Sequence, residues 1–96
     1  MTGMPTVQQI KKSQPPYSER YDLLKADLKE RLAWLQWCTL LGAHHQSEGE
    51  DPSKVSGAAL ARWSTTMCRK GDEMYAKRAY MLGVAMQEFA EIRERE

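Results

Sequence analysis

Met74-Tyr75-Ala76-Lys77-Arg78-Ala79-Tyr80-Met81-Leu82-Gly83-Val84-Ala85-Met86-Gln87-Glu88-Phe89-Ala90-Glu91-Ile92 is the stretch that decides how this chain folds. At 100° per residue, Met74, Met81, Leu82, Ala85, Met86, Phe89 and Ile92 fall in one sector with Tyr75 at its edge, the period of an amphipathic helix. Upstream, Leu60, Trp63 and Met67 keep the same phase, with Cys68 at the border. Asp51-Pro52 supplies a start, an acid that accepts from orphan amides followed by a proline whose missing donor costs nothing at the first helical position. The phase survives Gly71, so the expectation is one long helix from Pro52 to the end, kinked at Gly71. A break at Lys70-Gly71-Asp72 is the three-helix alternative, but a stop and restart would normally scramble the register.

Upstream of that helix, Ala43 to Asp51 is polar, acidic and without period, and reads as a connection. A first long helix is expected from Ser18 or Tyr17 to Leu41, ending at Gly42, a residue suited to the left-handed position after a helix. Tyr21, Leu24, Leu28, Leu32 and Leu35 form one stripe on it, and Leu23, Trp34 and Leu41 a second. Trp37 and Leu40 lie further round. Thr6-Val7-Gln8-Gln9 matches a capping box that opens a short helix from Val7 to about Lys12, and Ser13-Gln14-Pro15-Pro16 ends it.

The expected fold is therefore all-α: an N-terminal arm with a short helix over residues 1–17, then an antiparallel helical hairpin over 18–96 with its connection at about 43–51. At about 1.5 Å per residue the second helix would reach roughly 65 Å against roughly 36 Å for the first. That register sets Cys38 opposite about residue 56 and Cys68 opposite about residue 26, too far apart for an intrachain disulfide. It also leaves Tyr80 to Ile92 projecting past the first helix, and a dimeric helical bundle is the arrangement that would cover the overhang.

At 96 residues there is room for one domain with a modest core. Fourteen basic against thirteen acidic side chains leave a net charge of +1, without the basicity that by itself points to nucleic acid or anionic lipid. Residues 1–13 lack the apolar run of a secretory signal, and the longest uncharged stretch, from Leu32 up to the charged Glu48, is too polar to span a bilayer. A cytoplasmic protein with reduced thiols at Cys38 and Cys68 is the expectation.

The candidate functional residues are those whose chemistry conflicts with their position. Arg78 projects into the middle of the apolar sector and needs a partner there, either a carboxylate such as Glu19 or Asp22 or a groove on another molecule. Trp34, Trp37 and Leu40 on the first helix, with Met81, Met86 and Phe89 on the second, complete the expected partner surface, because tryptophan and other bulky apolar anchors dominate interfaces; Trp63 belongs to the core. A basic stripe of Arg62, Arg69, Lys70 and Lys77 is the alternative, a nucleic-acid contact unaccompanied by a recognition helix or zinc finger. His44 and His45, near Cys38 and Glu48, lack the paired spacing of zinc sites and are expected to be solvated. Asp27 and Arg31 look like an ordinary ion pair along a helix. With no nucleophile motif and no phosphate loop, no cofactor, metal or catalytic residue is assigned.

These observations converge on a non-enzymatic homodimer that binds a further protein as an adaptor or inhibitor. Short, motif-poor helical proteins of this kind are common among phage and mobile-element regulators, an analogy of size and style with no residue motif behind it.

Overall fold

The computed structural model of the chain describes residues 4–12, 28–63 and 72–95. Pro15-Pro16, the expected helix start at Ser18, Tyr21, Leu23, Leu24, Asp27, Met67, Cys68, Arg69, Lys70 and Gly71 lie outside the described residues. Within them every regular element is helical: α1 at Val7–Lys11, α2 at Leu28–Ser47, a 3-10 turn at Pro52–Lys54, α3 at Gly57–Trp63 and α4 at Asp72–Arg95.

Local chemistry sets most of the ends. Thr6 Oγ1 accepts from the Gln9 amide at 3.2 Å and Gln9 Oε1 accepts from the Thr6 amide at 2.8 Å, the reciprocal capping box expected of this sequence. Helix α2 runs through Gly42 and stops six residues later than expected, at Ser47. Its true stop is Gly49, at φ 72°, with the Gly49 amide donating to the Gln46 carbonyl and the Glu50 amide to the His45 carbonyl, the paired bonds of a Schellman end. Asp51 does act as a cap, but the turn it opens lasts three residues before Ser56, whose Oγ accepts from the Ala59 amide, starts α3.

Two expectations about the long elements are corrected. A single helix from Pro52 onward would hold Gly57 and Glu73 about 24 Å apart, whereas a Cβ on Gly57 would lie 2.1 Å from the Glu73 carbonyl oxygen. Helices α3 and α4 are thus separate and packed on each other. The antiparallel hairpin of the two long helices is also replaced. Arg31 meets Asp72, Thr39 meets Gly83, Gly42 lies against Tyr80 and Val84, and Gln46 reaches Glu91, so α2 and α4 run side by side in the same direction. The end of α4 is flanked by α2 as far as Glu91 and is no overhang.

The contact between α2 and α4 is made backbone to backbone. A Cβ on Gly42 would sit 1.9 Å from the Tyr80 carbonyl oxygen, and one on Gly83 would sit 1.8 Å from that of Thr39. Only hydrogen fits at either position, and each glycine points a Cα–H at a carbonyl of the other helix, a weak attraction that recurs where helices touch this closely. Ala76, also fully buried, continues the small-residue side of α4. Around this line the core collects Val7 and Ile10 from α1, Trp34, Cys38 and Leu41 from α2, Val55 just after the 3-10 turn, Ala59 to Ala61 from α3, and Tyr80 and Val84 from α4.

In an ordinary helix interior, exchanging Gly for Ala stabilises by roughly 1 kcal/mol. Gly83→Ala here is expected to do the reverse, costing about 2 kcal/mol or more because the two backbones must part. Urea denaturation reads the sign directly, and a stabilised variant would mean that the helices do not meet at Gly83.

Candidate functional site

The apolar sector of α4 exists as the sequence implies, but it faces outward. Ala76, Tyr80, Gly83 and Val84 form the buried side of the helix. On the other side Met74, Tyr75, Met81, Leu82, Met86, Phe89 and Ile92 are each 39 to 62% exposed. Backbone contact at Gly42 and Gly83 leaves no room for larger side chains along that line, and these seven apolar residues are turned to the opposite face. On α2, Trp34 and Leu41 of the second expected stripe are buried together with Cys38 and His45, while Leu28 and Leu32 of the first stripe, and Leu40 further round, are exposed.

Arg78 stands exposed in the middle of the outer face, with no hydrogen bond or ion pair among the described residues; Glu19 and Asp22, the carboxylates expected to meet it, lie outside them. Met81, Met86 and Phe89 lie further along the same face. Leu40, 61% exposed, and the half-buried Trp37 lie on a separate patch of α2. Trp34, expected at a partner surface, is instead a core residue at 2% exposure, and its indole N–H meets no acceptor among the described residues.

Of the four residues of the basic stripe, two lie within the described residues. Lys77 turns inward: its Nζ donates to the Val55 carbonyl and lies 5.6 Å from the centre of the Tyr80 ring, and burial pulls its pKa below the usual lysine range. Arg62 is half-buried, and Arg69 and Lys70 lie outside the described residues.

Behind the outer face, two polar contacts hold α4 in its orientation, and the sequence reading assigned neither. His45, expected to be solvated, is completely buried. Its Nε2 lies 2.6 Å from the Pro5 carbonyl oxygen and its Nδ1 2.6 Å from the Tyr80 hydroxyl. A carbonyl only accepts, so the neutral ring that carries its proton on Nε2 satisfies both contacts, with Tyr80 donating to Nδ1. This one imidazole joins the N-terminal arm, α2 and α4. Glu50 strengthens the same junction by accepting from the Val7 amide at 3.0 Å.

The second contact is bidentate. Arg31 donates from Nε and a terminal nitrogen to the two carboxylate oxygens of Asp72, at 3.0 and 2.7 Å, and the hydrogen bond raises the arginine pKa. Asp72, nearly buried at the first residue of α4, also places negative charge where a helix N-terminus favours it. Arg31 therefore reaches across to another helix, beyond the Asp27 pairing expected along its own. The spacing of Trp34, Cys38, Leu41 and His45 by four, three and four residues is the signal that would have found His45, had α2 been extended past Gly42.

Among the described residues no His, Cys, Asp and Glu side chains are grouped to hold a metal ion, and no helix is long and apolar enough to cross a membrane. Comparison of the chain with protein-family models, curated proteins and solved structures finds no match.

Burial, and then the nearby carboxylates of Glu50 and Asp51, push the Tyr80 phenol well above its ordinary pKa. A group raised in this way contributes stability that is fully present below its unfolded value of about 10 and is lost as pH climbs from there towards the folded value. Tyr80→Phe is expected to cost about 1 to 3 kcal/mol at neutral pH, because His45 loses its donor. It should also show a shallower loss of stability than wild type above about pH 10. Denaturation curves across that range check both, and parallel pH slopes for the two proteins would contradict the buried phenol.

Proposed function

We infer that this chain is a non-enzymatic protein-interaction module that works as a homodimer, an adaptor or inhibitor that joins a second copy of itself through α4 and presents the Trp37 and Leu40 region of α2 to a protein target. The observation that carries this reading is the outer face of α4, where seven large apolar side chains remain about half exposed on one side of one helix. At roughly 200 Å² for a large side chain they offer on the order of 700 Å². That exceeds the roughly 300 to 600 Å² of the largest apolar patch on a typical monomer and approaches the roughly 800 Å² that each partner contributes to a standard interface.

Leu40 supports the second half of the reading. It is among the more exposed apolar side chains of the chain, beside a tryptophan that is only half covered, and a bulky pair of this kind is the usual anchor of a protein contact. Its distance round the helix from the side that meets α4 keeps it clear of self-association, so both surfaces can be occupied at once.

Light scattering at tens of micromolar is expected to return the mass of a dimer, and Leu82→Glu to return a monomer with unchanged helical circular dichroism. Leu40→Glu should keep the dimer mass while losing proteins that wild type retains from lysate. A wild-type monomer at those concentrations would contradict the self-association reading, and capture of the same proteins by the Leu40 variant would contradict the role of that patch.

A further inference from the structure

We propose that Arg78 fixes the direction in which two copies pair, and that the pairing is antiparallel, with Arg78 of each copy set against the partner's Phe89 and beside the partner's Glu88. The inference rests on the self-association reading above and goes on to name its register.

Along the outer face, Tyr75, Arg78, Leu82, Ala85, Phe89 and Ile92 recur at alternating steps of three and four, the spacing of the seam of a two-helix coiled coil. All six are exposed, and Met74, Met81 and Met86 flank them. A seam of this kind can be closed by a second copy running either way. Five of its six positions are indifferent to direction, being apolar in both arrangements. Arg78 is not.

In a parallel, in-register pair each seam residue meets its own counterpart, so Arg78 would meet Arg78 inside a contact that excludes water. Like charges opposed there repel and find no acceptor. In an antiparallel pair centred between Leu82 and Ala85, Leu82 meets the partner's Ala85, Tyr75 meets the partner's Ile92, and Arg78 meets the partner's Phe89. The guanidinium then lies against an aromatic ring one residue from a carboxylate, and two-fold symmetry forms the arrangement twice. Phe89 is suited to it: its ring is among the most exposed of the face, and the guanidinium carbon of Arg93 already stands 5.9 Å from its centre. Glu88 is exposed beside it. The area of the face approaches what such a dimer needs, and its single charged seam position is complementary to one direction only.

Two measurements on the full chain test this. Arg78→Glu should weaken the dimer about tenfold or more, because the new carboxylate meets the partner's Glu88, and adding Glu88→Arg to the same chain should restore it. In a parallel dimer Arg78→Glu only exchanges one like pair for another, and the second change rescues nothing. Separately, in a Cys68→Ser background, Tyr75→Cys and Ile92→Cys chains are mixed and mildly oxidised. The antiparallel register gives a disulfide between the two different chains, whereas the parallel register gives disulfides between identical chains. Rescue together with the mixed cross-link supports the proposal. A dimer in which Tyr75→Cys chains cross-link only to each other overturns the register and leaves self-association standing, and a wild-type monomer at tens of micromolar overturns both.

Discussion

Backbone contact between α2 and α4 at Gly42 and Gly83 is the constraint on which the rest of the structure depends. Each glycine stands where a methyl group would fall within 2 Å of a carbonyl oxygen of the other helix. Such proximity leaves no space for interdigitating leucines or methionines along that line. The helices therefore meet on their small-residue sides, and the large apolar residues of both are displaced around their circumferences. On α2 part of that displaced set, Trp34 and Leu41, reaches the core shared with α1 and α3. On α4 the corresponding set faces directly away from α2, and none of the described elements covers it.

Polar contacts at either end of the glycine line keep the orientation from relaxing. Rotating α4 to bury Met81 and Phe89 would pull Asp72 away from Arg31 and the Tyr80 hydroxyl away from His45. His45 would then hold an unsatisfied ring nitrogen in the core, a cost comparable to a sizeable share of a small domain's stability. The outward face is in this sense a consequence of the inward one. Steric closeness at Gly42 and Gly83, together with two anchored polar groups, outweighs the gain from burying a handful of apolar side chains within the chain.

How much of this could be read from the sequence depended on how local the deciding interaction was. The Thr6 and Gln9 capping box is closed within four residues and was legible. The amphipathic period of residues 74–92 was legible too, since helical phase is a property of one segment. Which side of that helix faces inward was not, because hydrophobicity marks both a core and an interface, while the selecting contact lies between Gly83 and Thr39, forty-four positions apart. Gly42 misled for a related reason: the lack of a side chain suits a helix end and a helix crossing equally, and nothing near it in sequence tells the two apart. Reading it as an end hid His45, three residues further on and in phase with the buried stripe. The candidate site fared similarly. Arg78, Met81, Met86 and Phe89 share one face as expected, whereas Trp34 and Lys77 were drawn inward by neighbours on other helices.

The central claim is that the chain packs through Gly42 and Gly83 and turns its apolar sector outward. Nuclear Overhauser contacts in the isotope-labelled protein, restricted to those within one chain, test it most directly. The account predicts strong contacts from the Gly42 α-protons to the Val84 amide and from the Gly83 α-protons to the Ala43 amide, with none between the side chains of Leu82 or Phe89 and those of α2. Intrachain contacts from Leu82 and Phe89 to the leucines of α2, with the glycine contacts missing, would contradict it.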